Sequence, residues 1–232
     1  MRNAVEIKGN LIITTDNSGG IGEKPQDVVA VPDRLTAYYA ARVTMLEQWA
    51  ANAQPMTVLI HNFSGKRSWE SYVQGVEDLF QEAGLEPPII SGSTETNMEL
   101  VQSAVAVTMI GKQRDQPKSQ EVKWFTYGTP LVGNEVKERA DEVASIRRIR
   151  QALDEGIVHR IWPVGSQGIL KEARTMTGYE DASVETVLNS EKSAGPSTVV
   201  FLAIPLVKVE EAKSFLGSAL REIHITNCLA GE

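Results

Sequence analysis

One segment, TTDNSGGIGEKPQD (residues 14–27), combines an acidic side chain, three glycines and a lysine. Backbone N–H groups at glycines can approach an anion closely, and a lysine beside them adds a point charge suited to phosphate. The spacing matches neither the Walker A motif nor the dinucleotide-binding fingerprint, so a flexible surface loop is an equal alternative. If the segment binds phosphate, a strand ends at Asp16 and the contacts come from the loop after it: Asn17, Gly20, Gly22 and Lys24.

A second candidate is Glu95, which follows directly after a predicted strand in the segment GSTETNM, with Thr96 and Asn97 beside it. Carboxylates at strand ends are typical ligands of Mg²⁺, with phosphate oxygens completing the coordination. The alternative is that Ser93 or Thr94 caps a turn before the next strand. From this segment alone, the alternative is favoured.

A third candidate is the loop in WPVGSQGILKE, where Gly165, Ser166 and Gly168 precede a predicted helix. The first N–H groups of a helix have no partner within it and can bind an anion. Ordinary helix capping by Ser166 is the commoner explanation for such a sequence.

Histidine and cysteine offer no further candidate. The histidines His61, His159 and His224 lie on or beside apolar strand patterns and lack the spacing of metal ligands. The single cysteine, Cys228, cannot form an internal disulfide, which indicates a reducing compartment. We therefore expect a cytoplasmic protein.

Composition narrows the class of protein. The 232 residues are 42% hydrophobic and 23% charged, with a net charge of -7, which is typical of a globular chain and excludes disulfide scaffolds and disordered chains. The acidic balance argues against nucleic acid as a partner. No apolar run approaches the roughly 20 residues that span a bilayer, and the N-terminus lacks a signal-peptide pattern, so we expect no membrane association.

Apolar periodicity in the first 111 residues alternates strands with helices. A strand or hairpin with its turn at Gly9 and Asn10 comes first, followed by an amphipathic helix, a buried strand, a second helix that stops at Gly84, and two more strands. The predicted ranges are, in chain order, 5–15, 32–53, 55–63, 68–83, 87–91 and 100–111.

A polar stretch, GKQRDQPKSQEVK, is the best linker in the chain. We place a boundary within it and predict two domains, residues 1–117 and 118–232. The second half again mixes strands and helices, so the fold class is α/β or α+β and not a β-sandwich. The predicted ranges are 122–127, 135–153, 158–162, a helix from 168, 198–204 and 209–220.

In chain order, these motifs resemble the aminoimidazole-ribonucleotide synthetase superfamily, also called PurM-like, whose members include thiamine-monophosphate kinase and a hydrogenase maturation protein. Asp16 and the later Gly20-Ile21-Gly22-Glu23-Lys24 resemble the family's strand-end Asp, glycine-rich turn and Lys. Glu47 stands where a family helix carries Asp, eight residues before Pro55, which enters the next strand in the family's register. Ser93-Thr94-Glu95-Thr96 is similar to Gly-Gly-Asp/Glu-Thr without its glycines.

The second half continues the resemblance. Gly128-Thr129-Pro130 is similar to the opening of the family's second domain, and Gly165-Ser166-Gln167-Gly168 is similar to its later glycine-rich loop. The resemblance implies a two-domain PurM-like fold, in which the N-terminal domains of two chains pair into a barrel-like interface and the C-terminal domain is mixed α/β.

The resemblance also implies ATP and Mg²⁺ as cofactors. Asp16, Glu47 and Glu95 would be the metal ligands, Lys24 would contact phosphate, and Asp16, Lys24 and Glu95 would form the catalytic set. Such a set suffices for phosphoryl transfer, which needs positioning and charge neutralisation more than covalent chemistry.

Within the superfamily the chain looks most like the α-ribazole kinases of cobamide salvage, which implies a nucleoside-like acceptor and a homodimer. Two alternatives stay open. One is another PurM-like enzyme, similar to thiamine-phosphate kinase or aminoimidazole-ribonucleotide synthetase. The other is an inactive nucleotide-binding scaffold, suggested by Ser93-Thr94 in place of Gly-Gly and Glu47 in place of Asp. The retained acidic positions argue against a scaffold, because converging like charges need a cation.

Overall fold

A computed structural model describes residues 3–115 and 119–226 of the chain. The chain divides into two compact units, Asn3–Asp115 and Gln116–Glu232. The predicted boundary between residues 117 and 118 lies outside the described residues, as does Cys228. None of the helices in the described ranges is long and apolar enough to cross a membrane.

The first unit contains a five-stranded open sheet and two α-helices. Its elements are β1 (Ala4–Ile7), β2 (Leu11–Gly19), β3 (Ile21–Gly22), β4 (Val29–Ala30), α1 (Asp33–Ala50), β5 (Ala53–Asn62), α2 (Trp69–Glu82), β6 (Ile89–Thr94) and β7 (Ala104–Gln113). The sheet has the strand order β1-β2-β7-β5-β6, with β5 and β6 parallel and the other neighbours antiparallel. The short strands β3 and β4 pair separately.

Helices α1 and α2 pack against each other on one face of this sheet. A buried amide anchors α1 there, because Gln48 Nε2 donates hydrogen bonds to the carbonyl oxygens of Ile12 (3.0 Å) and Met109 (3.1 Å). Where the two helices approach, Gly75 leaves room for the backbone of α1. A Cβ atom at Gly75 would lie 2.0 Å from the carbonyl oxygen of Arg34.

The opposite face of the sheet is not covered by α1 or α2. Side chains alternate between the two faces along a strand, and one row on the uncovered face crosses all five strands. Paired neighbours in that row are Val5, Ile13, Ile110, Thr57 and Ile89. The two end residues are 59% and 76% exposed, respectively. The face therefore presents apolar side chains on four of its five strands, including both edge strands.

The predicted hairpin at the start of the chain is confirmed, since β1 and β2 are joined by a turn in which Gly9 and Asn10 both have positive φ. The predicted end of the strand at Asp16 is wrong. Strand β2 continues to Gly19, because β7 supplies hydrogen-bonding partners as far as Ala104. The glycine-rich segment is thus partly strand.

The second unit has a four-stranded antiparallel sheet at its centre. Its elements are β8 (Val122–Gly128), α3 (Asn134–Glu138), α4 (Ile146–Asp154), β9 (Arg160–Pro163), α5 (Gly168–Thr177), β10 (Ser183–Glu185), β11 (Val199–Pro205), α6 (Val209–Leu216), β12 (Leu220–Glu222) and β13 (His224–Thr226). The sheet has the order β12-β8-β11-β9, and β10 pairs with β13 as a separate ribbon. All seven residues of β11 are buried, as expected of a continuous apolar run.

Two predicted helices of the second unit differ in the structure. The single helix predicted over 135–153 is two helices, α3 and α4. Between them the Ala144 N–H donates to the carbonyl oxygen of Thr198 (3.0 Å), so this segment bonds to another part of the unit, and Ser145 then caps α4. The predicted final helix ends at Leu216, because the residues that follow pair with β8 as β12.

Candidate functional site

Three loops of the first unit leave the sheet along one edge, which we call the loop edge. Gly19 at the end of β2 pairs with Ala104 at the start of β7, and Asn62 at the end of β5 pairs with Thr94 at the end of β6. Because β5 and β7 are antiparallel, these four strand termini lie side by side. The loop edge carries residues 20–28, 63–68 and 95–103.

Asp27 joins two of these loops. Its Oδ1 accepts a hydrogen bond from the Ser103 N–H (2.7 Å), and its Oδ2 accepts from Ser103 Oγ (2.7 Å) and from the Lys24 N–H (2.9 Å). The Asp27 N–H in turn donates to the carbonyl oxygen of Lys24 (3.0 Å), which closes a turn with Pro25 at its second position. Sequence reasoning missed Asp27, although Lys-Pro-Gln-Asp is a typical turn sequence.

The glycines of the first loop make contacts within the protein that hold the loop in place. The Gly20 N–H donates to the carbonyl oxygen of Ser103 (2.8 Å), and the carbonyl oxygen of Gly20 accepts from Val28 (2.7 Å). At Gly22 a Cβ atom would lie 2.4 Å from Ser103 Oγ and 2.7 Å from Asp33 Oδ1. The Gly20 N–H that we expected to face phosphate therefore already has a partner, and Gly22 is required by packing.

Lys24 links the glycine-rich loop to the loop that contains Glu95. Its Nζ donates to the carbonyl oxygen of Leu100 (2.5 Å), and nearby Gln102 Nε2 donates to the carbonyl oxygen of Gln26 (2.7 Å). An ammonium group has three N–H donors, so Lys24 can hold this contact and still bind an anion. The structure thus brings together the first two candidate segments.

Glu95 lies partly exposed directly after β6 and caps the turn that follows it. Its N–H donates to the carbonyl oxygen of Asn62 (2.8 Å), and its Oε1 accepts from the N–H groups of Asn97 (2.6 Å) and Met98 (3.2 Å). The hydrogen bonds from these two N–H groups lower the pKa of Glu95. The carboxylate is therefore ionised at neutral pH. The turn expected after this strand is capped by the Glu95 side chain and not by Ser93 or Thr94, and Thr96 lies inside the turn.

The three predicted metal ligands, which all lie in described parts of the chain, do not form one cluster. Asp16 is partly exposed in the middle of β2, and Glu47 is only 1% exposed near the end of α1. Within residues 3–115 and 119–226, no three His, Cys, Asp or Glu side chains form a group that could hold a metal ion. One reason is the strand order. Asp16 lies in β2 and Glu95 follows β6, and these two strands are three strand spacings apart in the sheet, or about 14 Å.

A buried carboxyl group that the sequence did not reveal lies beside the first loop. Asp33, the first residue of α1, is 4% exposed, and its N–H donates to Glu23 Oε1 (3.1 Å). Its Oδ1 has no hydrogen-bond partner in the described part of the chain. Burial raises the pKa of the Asp33 carboxyl, a hydrogen bond with Ser68 opposes this, and the charges of Glu23 and Asp27 add to it.

The third candidate loop, in the second unit, surrounds a carboxylate of its own. The Glu172 side chain is buried and accepts hydrogen bonds from the Gly165 N–H (3.3 Å) and from Trp162 Nε1 (3.0 Å). The Gly168 N–H donates back to the carbonyl oxygen of Gly165 (3.2 Å). The Glu172 side chain already occupies this position and accepts the Gly165 N–H, so the contacts around Gly165, Ser166 and Gly168 do not favour phosphate there.

No family model matches the chain, and no curated protein matches it in sequence. Solved structures do share its fold. The hydrogenase maturation protein HypE in complex with ATP is 13% identical with a TM-score of 0.63, over 95% of this chain and 78% of that one. Thiamine monophosphate kinase from Aquifex aeolicus is 12% identical with a TM-score of 0.64, over 97% and 87%.

A third structure, PurL from T. maritima complexed with AMPPCP, is 12% identical with a TM-score of 0.61, over 97% of this chain and 42% of that one. These identities are low, so what the likeness establishes is a common fold. The mixed α and β fold expected from the sequence is confirmed, and it is the fold of these three structures, whereas the pairing of two N-terminal domains stays a prediction.

Proposed function

We propose that the protein is an ATP-dependent kinase that phosphorylates a small molecule. The observation that carries the proposal is the fold shared with thiamine monophosphate kinase over nearly the whole of this chain. Two further proteins of this fold hold ATP or AMPPCP in their structures. The meeting of the Lys24 and Glu95 loops at the loop edge supports the proposal, because it places a cation and an ionised carboxylate on adjoining segments.

In this proposal the loop edge binds the triphosphate. Lys24 contacts phosphate oxygens with the N–H donors that Leu100 leaves free, while Asp16 and Glu95 complete the catalytic set. Asn17, Thr96 and Asn97 are the further nucleotide contacts. The acceptor hydroxyl forms a new bond to the γ-phosphorus as the bond to ADP breaks, and its proton leaves to solvent, so the chain has mainly to position the reactants.

Mg²⁺ is compatible with this site if it arrives with the nucleotide. Protein sites for Mg²⁺ commonly use one or two carboxylates together with phosphate oxygens and water, and do not need a full set of protein ligands. Asp16 and Glu95 each fit such a role singly, whereas Glu47 is buried. When bound, the ion would offset the negative charge of the phosphates.

For the acceptor we propose α-ribazole, phosphorylated at its 5'-hydroxyl, on the basis of the resemblance to α-ribazole kinases. The test is to incubate the purified protein with ATP, MgCl₂ and α-ribazole and to look by mass spectrometry for the gain of one phosphoryl group. Lys24→Met should raise the KM for ATP up to about fivefold, because an exposed charge pair contributes up to about 1 kcal/mol. Lys112→Met, at the far end of β7, is the matched control.

The outcomes separate the candidate functions. A phosphorylated acceptor supports the kinase. Consumption of ATP with release of free phosphate and no phosphorylated acceptor would favour a synthetase of the same fold. Failure to bind or consume ATP would contradict the proposal and favour the scaffold.

We also propose that two chains pair through the uncovered face of the first unit's sheet. The row from Val5 to Ile89 carries apolar side chains on four of its five strands, with Thr57 on the fifth, and exposed apolar surfaces mark protein interfaces. Ile110→Lys places a charge in the middle of the row and should give a monomer in sedimentation experiments. Val207→Lys, at a position 92% exposed in the second unit, should leave the dimer intact. A wild-type protein that sediments as a monomer would refute the pairing.

A further inference from the structure

The third loop of the loop edge contains a basic turn, formed by Gly65, Lys66 and Arg67, to which the proposed function assigns no role. Lys66 and Arg67 are exposed, and neither makes an ion pair or a side-chain hydrogen bond within the described residues. The turn precedes α2 and is closed by a hydrogen bond from the Ser68 N–H to the carbonyl oxygen of Gly65 (3.2 Å). Two adjacent cations are thus presented on a short and ordered segment.

A buried asparagine fixes this turn next to the Glu95 turn. Asn62 is 1% exposed, and its Nδ2 donates both to the carbonyl oxygen of Gly65 (2.9 Å) and to Thr94 Oγ1 (3.2 Å). Its Oδ1 accepts from the Ser64 N–H (2.8 Å), and its carbonyl oxygen accepts from the Glu95 N–H (2.8 Å). One side chain therefore holds the starts of both loops, so the basic turn cannot move far from Glu95.

The charges around the turn leave it available for an external anion. On the adjoining turn, the Glu95 carboxylate already accepts two backbone hydrogen bonds through Oε1, and the buried Asp33 carboxyl next to the basic turn is hydrogen-bonded to Ser68. At the loop edge Lys24 contributes a further cation. Oxyanions such as phosphate and carboxylate are the ligands that paired Lys and Arg side chains bind.

We propose that Lys66 and Arg67 form an oxyanion-binding subsite beside the proposed phosphoryl-transfer site. This inference rests on the proposed function, because the subsite would serve the same loop edge that is proposed to bind ATP. The ligand is a phosphate or carboxylate group, and it has two possible sources, the triphosphate of the nucleotide or an anionic group on the acceptor.

The experiment measures binding without turnover. Titration calorimetry compares the wild type, the double variant Lys66→Met/Arg67→Met and the control Lys112→Met, each with ATP and separately with inorganic phosphate. The double variant loses two exposed charge pairs, each of which is a weak contact in water, so it should bind about tenfold more weakly. The loss should shrink at high salt, because salt screens exposed charges. Thermal unfolding should be unchanged, and the charge-conserving Lys66→Arg/Arg67→Lys should restore binding.

Each outcome decides the proposal. Weaker ATP binding supports the subsite with the nucleotide as the source, and weaker phosphate binding with unchanged ATP binding supports it with the acceptor as the source. Unchanged binding of both probes overturns it, as does a wild type that binds neither. If the wild type binds phosphate but not ATP, and the double variant does not bind phosphate, the result supports the subsite and contradicts the proposed kinase function.

Discussion

Replacing Asp27 by alanine removes the carboxylate that joins the glycine-rich loop to the loop ending at Ser103. Two of its three hydrogen bonds come from backbone N–H groups, those of Lys24 and Ser103, and the third comes from a hydroxyl that can turn to water. At about 1 kcal/mol for each backbone bond at a half-exposed site, the loop should lose about 2 kcal/mol. This corresponds to an increase of about 30-fold in the opening equilibrium of the loop.

Hydrogen exchange measures that opening directly. The Gly20 and Val28 N–H groups are bonded within the joined loops, so their protection factors should fall about 30-fold in Asp27→Ala and stay the same in Asp181→Ala, an exposed control in the second unit. Protection in the sheet should be unaffected. Exchange at Gly20 and Val28 that matches the wild type would refute the argument that Asp27 holds the two loops together.

Two further substitutions test the interior of the first unit. The pKa of Asp33 is raised in the folded state, so the wild type should lose stability as pH rises from about 4 through that raised pKa, whereas Asp33→Asn should lack this decline. If the free energy of unfolding changed with pH in the same way in both proteins, the argument would be contradicted. Gly75→Ala should destabilise the protein by at least about 1 kcal/mol in urea unfolding, since its Cβ would meet the carbonyl oxygen of Arg34, and equal or greater stability would show that α1 can move aside.

Much of the order of elements could be predicted from local patterns. The hairpin at Gly9 and Asn10, the two helices of the first unit and the buried strand β11 each depend on periodicity or turn chemistry that lies within a few residues. The break between α3 and α4 could not be predicted in this way. It depends on a hydrogen bond from Ala144 to Thr198, which lies in a distant part of the sequence.

In the candidate site, too, local features could be predicted from the sequence and long-range contacts could not. Its two segments around Lys24 and Glu95 could be identified from residue types, and the structure brings those segments together. The use of each group could not be predicted, because a glycine N–H or a carboxylate looks the same in sequence whether its partner is a ligand or the protein. At Gly20, Glu95 and Gly165 the structure supplies an internal partner.

The position of β2 between β1 and β7 in the first sheet has a consequence for the order of folding. Thr15 in β2 donates a hydrogen bond to the carbonyl oxygen of Val107 in β7, which follows 92 residues later in the chain. At about 5–20 residues per second, synthesis of that interval takes about 5–20 s. Until β7 emerges from the ribosome, β2 has only β1 as a neighbouring strand in the sheet. The strand that carries Asp16 is therefore among the first parts of the unit to be made and among the last to be placed, and non-local pairing of this kind slows folding.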